Sequence, residues 1–300
     1  MPTPDGELWQ DIFFVANDGL RLHARHYPAM GRRGRPAICL PGLTRNGRDF
    51  HDLAVALSTD THTPRDVYAI DYRGRGLSDW DKDWENYTPL IELEDTLDFM
   101  ALAGVHQAAI IGTSRGGLIA MVMAALRPAA IGAVVLNDIG PVIESRGLMR
   151  IAGHLGKTPT PESWEDAIAL VREMNERDFP AIPAEQWEEI ARAIFKEENG
   201  KPARAYDPDL GKAFEGVDLS QPGAEQWGAF SALTPFPTLA LRGENSDILS
   251  PETLAKMGEV HPNLETETIE GEGHAPMLKD QRSIETVAQF LAANDPTRGR

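Results

Sequence analysis

The sequence predicts an α/β protein: a mostly parallel central sheet that opens with an antiparallel hairpin, has helices on both faces, and is interrupted by a helical insertion. Three observations predict it. Short apolar runs alternate with helical patterns from Ala37 onward, as βαβ crossovers require. Two strand-like segments precede that rhythm and flank a turn signal. The rhythm then stops near Gly140-Pro141 and resumes only after Gly228.

Each element has its own local reason. Leu8 to Ala16 and Leu20 to Tyr27 flank Asn17-Asp18-Gly19, a hairpin turn. Ala37 to Leu40 reads as a buried strand, and Phe50, Leu53, Ala54 and Leu57 are spaced for one helix face. Val67 to Ile70 is a strand, Leu90 to Leu102 a helix, Ala108 to Ile111 a strand, Leu118 to Leu126 helical, and Ala133 to Leu136 a strand. The next stretch offers helices and loops but no convincing strand. Thr160-Pro161 reads as a cap with proline at the first helical position. Trp164, Ile168, Val171 and Met174 share one face, as do Trp187, Ile190 and Ile194. The βα rhythm returns with Thr238 to Leu241, a helix from Pro251, a strand at Leu264 to Ile269 and a helix from Ser283 to Ala292. The expected organisation is a core of residues 1–140 and 229–300, with residues 141–228 inserted as a helical cap. Such an insertion lies over the carboxyl ends of the strands, where open α/β sheets bind ligands.

Composition narrows the function. The 300 residues carry 46 acidic and 29 basic side chains, a net charge of −17. That balance argues against nucleic acid and anionic membrane surfaces as partners. No apolar run reaches the ~18 residues of a membrane span. Asp5, Glu7 and Asp11 precede the first apolar run, unlike a signal peptide, so a cytoplasmic location is expected. Cys39, the single cysteine, cannot form an internal disulfide and reads as a buried small hydrophobe. No metal constellation or cofactor motif is present, and the expected state is monomer or homodimer.

Gly112-Thr113-Ser114-Arg115-Gly116 follows a strand and opens a helix, the context of a nucleophile elbow. With 10 serines and 27 glycines in the chain, chance supplies only about 0.08 such G-x-S-x-G matches. A serine needs a base, and the base needs an orienting carboxylate. The best base is His274, in the Gly-rich loop Gly271-Glu272-Gly273-His274 at the carboxyl edge of the sheet. His261 and His154 are poorer placed. His23 and His26, i and i+3 on a strand, point to opposite faces and cannot pair on a metal. The expected acid is Asp247, in the loop after Thr238 to Leu241. Asp138, just after the Ala133 to Leu136 strand, and Glu244 are the alternatives. Main-chain N–H groups of Arg115 and Leu43 are the expected oxyanion donors.

With these motifs in their order, the chain resembles a cap-bearing α/β-hydrolase from its first hairpin to its last helix. Asp71-Tyr72-Arg73-Gly74-Arg75-Gly76-Leu77-Ser78 resembles that family's Gly-rich loop after the fourth strand, and reads as structural rather than as a phosphate cradle. Pro41-Gly42 stands where many members have His-Gly. Arg115 is unusual after the nucleophile, and could meet a substrate carboxylate or carbonyl, or pair with an acidic neighbour. The resemblance covers esterases, lactonases, C–C bond hydrolases and non-enzymatic receptors. Serine at the elbow favours acyl transfer to water: hydrolysis of a small apolar ester or lactone. The alternatives are a C–C bond hydrolase, disfavoured by Ala275-Pro276 where a bulky aromatic is usual, and a ligand-binding protein without activity. Arg115, Trp164, Trp187 and Met277 are the expected substrate contacts; the wider set of cap aromatics, which includes Phe195, Trp227 and Phe230, serves mainly to pack the cap.

Overall fold

A computed structural model describes residues 8–31, 34–219 and 223–296. Asp5 and Glu7, near the start of the chain, and the polar C-terminal residues 297–300 lie outside the described residues. Strands β1 (Gln10–Val15) and β2 (Arg21–Tyr27) form the antiparallel hairpin. Gly19 closes its turn at φ 90°, a conformation that favours glycine. Next come β3 (Ala37–Leu40), α1 (His51–Thr59), β4 (Val67–Asp71), α2 (Pro89–Leu102), β5 (Ala108–Thr113), α3 (Arg115–Leu126) and β6 (Ile131–Asn137). Between β6 and the next sheet strand lie α4 (Ser145–His154), α5 (Trp164–Asn175), α6 (Gln186–Ile194), a hairpin of β7 (Phe195–Glu198) and β8 (Lys201–Arg204), and α7 (Trp227–Ser231). The core resumes with β9 (Thr238–Gly243), α8 (Pro251–Val260), β10 (Leu264–Ile269) and α9 (Gln281–Ala293).

Among the described residues the main sheet has eight strands in the order β1-β2-β4-β3-β5-β6-β9-β10. The pairings β1–β2 and β2–β4 are antiparallel and the others parallel. Strand alternation divides the core into two layers. Ile38, Leu40, Ile110, Val134 and Leu136 face one side, with Phe99, Ile119 and Met123 of α2 and α3 packed on them. Cys39, Ala109, Ile111, Val135 and Leu241 face the other, against Leu53 and Leu57 of α1 and Phe290 of α9. Both faces of the central strands are thus covered, which is why they read as continuous apolar runs rather than alternating ones. Among the described residues, no helix is long and apolar enough to cross a membrane.

Two local expectations need correction. The insertion is not purely helical, since Phe195–Glu198 pairs with Lys201–Arg204 across Asn199-Gly200. Charge hid this hairpin: Lys196, Glu197, Glu198 and Lys201 put charged side chains on both faces of its strands and leave no apolar alternation to read. Helix α5 starts at Trp164 rather than after Thr160, because Ser163 Oγ accepts the Asp166 N–H and caps it there.

Candidate active site

The elbow forms because its glycines allow two backbones to touch. A Cβ on Gly112 would fall 2.4 Å from the Gly116 carbonyl carbon, and one on Gly116 would fall 2.0 Å from the Leu40 oxygen. Ser114 itself adopts φ 50°, ψ −109°, at the N-terminus of α3. This strained conformation lifts its hydroxyl off the sheet.

His274 meets that hydroxyl from the loop after β10. Ser114 Oγ lies 2.9 Å from His274 Nε2, and His274 Nδ1 lies 2.8 Å from Asp138 Oδ2. A carboxylate only accepts, so it draws the imidazole proton to Nδ1 and leaves Nε2 free to accept from the serine. Asp138 is fully buried at the end of β6. Its Oδ1 accepts the Gly243 N–H at 2.9 Å and its Oδ2 the Ser246 hydroxyl at 2.6 Å. Buried charge is tolerated there because both oxygens are satisfied.

This geometry corrects the expected acid. Asp247 does not reach His274. Arg150 of α4 holds it with two parallel bonds of 2.7 Å, Nε to Oδ2 and Nη2 to Oδ1. Burial opposes ionisation of Asp247, but the Arg150 guanidinium outweighs it and holds the carboxyl below the usual range. Glu244, the third candidate, accepts the Gly271 N–H at the exposed edge of the loop.

Arg115 is also corrected as a substrate contact. Its Nε donates to Glu92 Oε2 at 2.7 Å and its Nη2 to the Tyr87 carbonyl at 2.8 Å. Fully buried Glu92 places its other oxygen 2.8 Å from Arg75 Nη2. The arginines of the Gly-rich loop are thus occupied: Arg73 is bound by Asp95, Asp18 and Asp81, and Arg75 by Glu92. Both arginines of that loop therefore have carboxylate partners within the protein. The main-chain N–H of Arg115 is a different matter. As the first residue of α3 it has no intrahelical partner. The Gly42-Leu43 turn lies beside it, with the Gly42 Cβ direction ending 3.9 Å from Ser114 Cβ.

A cavity of about 270 Å³ opens over Ser114 and His274. The core side contributes Leu43, Phe50 and Met277, and the insertion contributes Ile151, Val171 and Phe179. Of the expected substrate contacts, Met277 is on the cavity wall. Trp164 and Trp187 do not line this cavity. Both pack in the apolar cluster between α5 and α6, Trp187 with 2% of its surface exposed and Trp164 beneath the Arg192 guanidinium. Their apolar spacing signalled packing, and contact with a pocket could not be read from it.

Sequence reasoning missed Asn137, Arg150 and Arg204. Asn137 Nδ2 donates to Thr113 Oγ1 at 3.0 Å and to the Pro276 carbonyl at 2.8 Å, tying the elbow strand to the histidine loop. An asparagine ending a buried strand was the signal available for it. Arg150 and Arg204 line the cavity from the insertion, where no motif marks them.

Comparison with known proteins agrees with this architecture. The model of the alpha/beta hydrolase family matches residues 37–289. A 3-hydroxybutyrate-oligomer hydrolase of Cupriavidus necator is 32% identical over 90% of this chain and 93% of its own length. A 2-(acetamidomethylene)succinate hydrolase of Mesorhizobium japonicum is 28% identical over 84% of this chain and 86% of its own. A crystal structure of an alpha/beta hydrolase from Novosphingobium aromaticivorans superposes with a TM-score of 0.86 at 40% identity, covering 95% of this chain and 98% of that one.

Proposed function

The chain belongs to the alpha/beta hydrolase family, and on that premise we propose that it is a serine hydrolase cleaving a small carboxylic ester through an acyl-enzyme. The observation that carries this reading is the continuous hydrogen-bonded path from Ser114 Oγ through His274 to Asp138, with steps of 2.9 and 2.8 Å. Ser114 Oγ attacks the ester carbonyl while His274 Nε2 takes its proton. Asp138 fixes the imidazole tautomer and stabilises the imidazolium. The N–H groups of Arg115 and Leu43 receive the oxyanion, each worth roughly 10²–10³ in rate. His274 then protonates the departing alcohol, and water, activated by the same imidazole, releases the acid. Residues 141–228 act as the cap that closes the site from above.

The lining supports an apolar body for the substrate, through Phe50, Ile151, Val171, Phe179 and Met277. The Cupriavidus relative is named for hydrolysis of 3-hydroxybutyrate oligomers, chains of short ester units. Short linear hydroxyacid esters are therefore the first substrates to offer. The test compares wild type with Ser114→Ala on p-nitrophenyl acetate, butyrate and octanoate and on the 3-hydroxybutyrate dimer, with chelator present. Turnover abolished by Ser114→Ala supports the reading. Folded wild type that cleaves none of these esters overturns it.

A further inference from the structure

The protein is strongly acidic, with 46 carboxylate side chains against 29 lysines and arginines. Its cavity is the reverse. The lining carries four cationic side chains, Arg45, Arg150, Arg204 and Lys279, and one acidic one, Asp49. Three of the four cations are neutralised by the protein. Arg45 pairs with Asp49 at 2.6 Å, Arg150 is gripped by Asp247 at 2.7 Å, and Lys279 lies 2.5 Å from Glu189 and 3.5 Å from Asp52.

Arg204 is the exception. It ends β8 and is half-buried. Among the described residues its guanidinium has no carboxylate partner, and its one hydrogen bond runs from Nη2 to the Thr158 carbonyl, also on the cavity wall. That bond uses one of five N–H donors and fixes the plane of the group. A half-buried guanidinium that the protein leaves unpaired, in a chain rich in spare carboxylates, is a site awaiting an anion.

We propose that Arg204 is the counter-ion for a carboxylate carried by the substrate, so that the preferred ester has an apolar body and one end that is a free acid. This rests on the serine-hydrolase reading above. It also goes further, because it selects free-acid esters over neutral esters of the same length. Arg204 acts here as a specificity residue, remote from the bond that breaks. A bidentate carboxylate contact gives a partner to the one lining cation that the described carboxylates leave without one. It also fits the C. necator and M. japonicum relatives, both named for carboxylate-bearing molecules.

The experiment measures kcat/KM for the 3-hydroxybutyrate dimer as the free acid and as its methyl ester, in wild type, Arg204→Met and Arg204→Lys. The readout is the acid-to-ester ratio within each protein, which cancels general losses of activity or of folded fraction. The expected result is a ratio lowered by roughly 10- to 100-fold in Arg204→Met, chiefly through KM, with partial recovery in Arg204→Lys. If Arg204→Met fails to fold, Arg204→Lys carries the comparison, since it keeps the charge but loses the planar fork and still predicts a lowered ratio. An unchanged ratio in a folded variant overturns the proposal while leaving the serine-hydrolase reading intact. Wild type inactive on both dimers and on p-nitrophenyl esters overturns both.

Discussion

Ser246 Oγ lies 2.6 Å from Asp138 Oδ2, so the loop expected to supply the acid supplies its clamp instead. The next residue, Asp247, turns the other way and is consumed by Arg150. One loop thus serves two carboxylates with different duties. Asp138 is fully buried against His274, while Asp247 anchors α4 of the insertion to the core.

The two acids should therefore separate cleanly on substitution. Asp138→Asn puts an amide donor against Nδ1, inverts the tautomer and should lower kcat by about 10⁴. Asp247→Asn should change kcat little and lower the melting temperature, because it leaves the Arg150 guanidinium without its partner. Steady-state kinetics and thermal unfolding of both variants check this. Comparable losses of kcat in the two would contradict the assignment.

Glu92 should matter more for stability than any surface pair. It is fully buried and holds both Arg75 and Arg115, and burial already lowers the Arg75 pKa. Removing the carboxylate strands two guanidinium groups behind the elbow. Glu92→Ala is expected to lose about 3–5 kcal/mol in urea unfolding, the cost of leaving a buried charge uncompensated. A loss below about 0.5 kcal/mol would mean that water replaces the carboxylate.

Glu272, two residues before His274, predicts a pH dependence of stability. Burial pushes its carboxyl up to about 7 from an ordinary 4.5, against the pull of the Met277 N–H, with Asp280 adding to the rise. A carboxyl whose folded pKa is raised favours the fold in its protonated form. That contribution is complete below about 4.5 and is lost as pH rises through about 7. Glu272→Gln keeps an uncharged acceptor for Met277, so its advantage over wild type should grow between those limits and then level off. Melting curves from pH 4 to 8 measure it, with a difference on the order of a few degrees expected. A difference independent of pH would contradict it.

The sheet, the elbow and the histidine loop were legible because local chemistry dictates them. Apolar runs mark strands covered on both faces, Gly112 and Gly116 mark a close approach, and a histidine among glycines marks a loop at the strand ends. The acid was less legible. Asp138 and Asp247 both follow sheet strands in an order compatible with a triad, and only the partner Arg150, 97 residues away, removes Asp247 from contention. The β7–β8 hairpin was hidden by a run of charged residues that leaves no apolar alternation. The cavity wall was the least legible, because Arg204 and Trp187 differ in role through three-dimensional placement and not through any spacing that a sequence displays.

The most direct measurement is covalent labelling of the nucleophile by a fluorophosphonate, followed by intact mass and peptide mapping. One adduct per chain is expected, on Ser114, absent in Ser114→Ala and slowed by orders of magnitude in His274→Asn. Folded wild type that stays unlabelled, or carries its adduct on another residue, would contradict it.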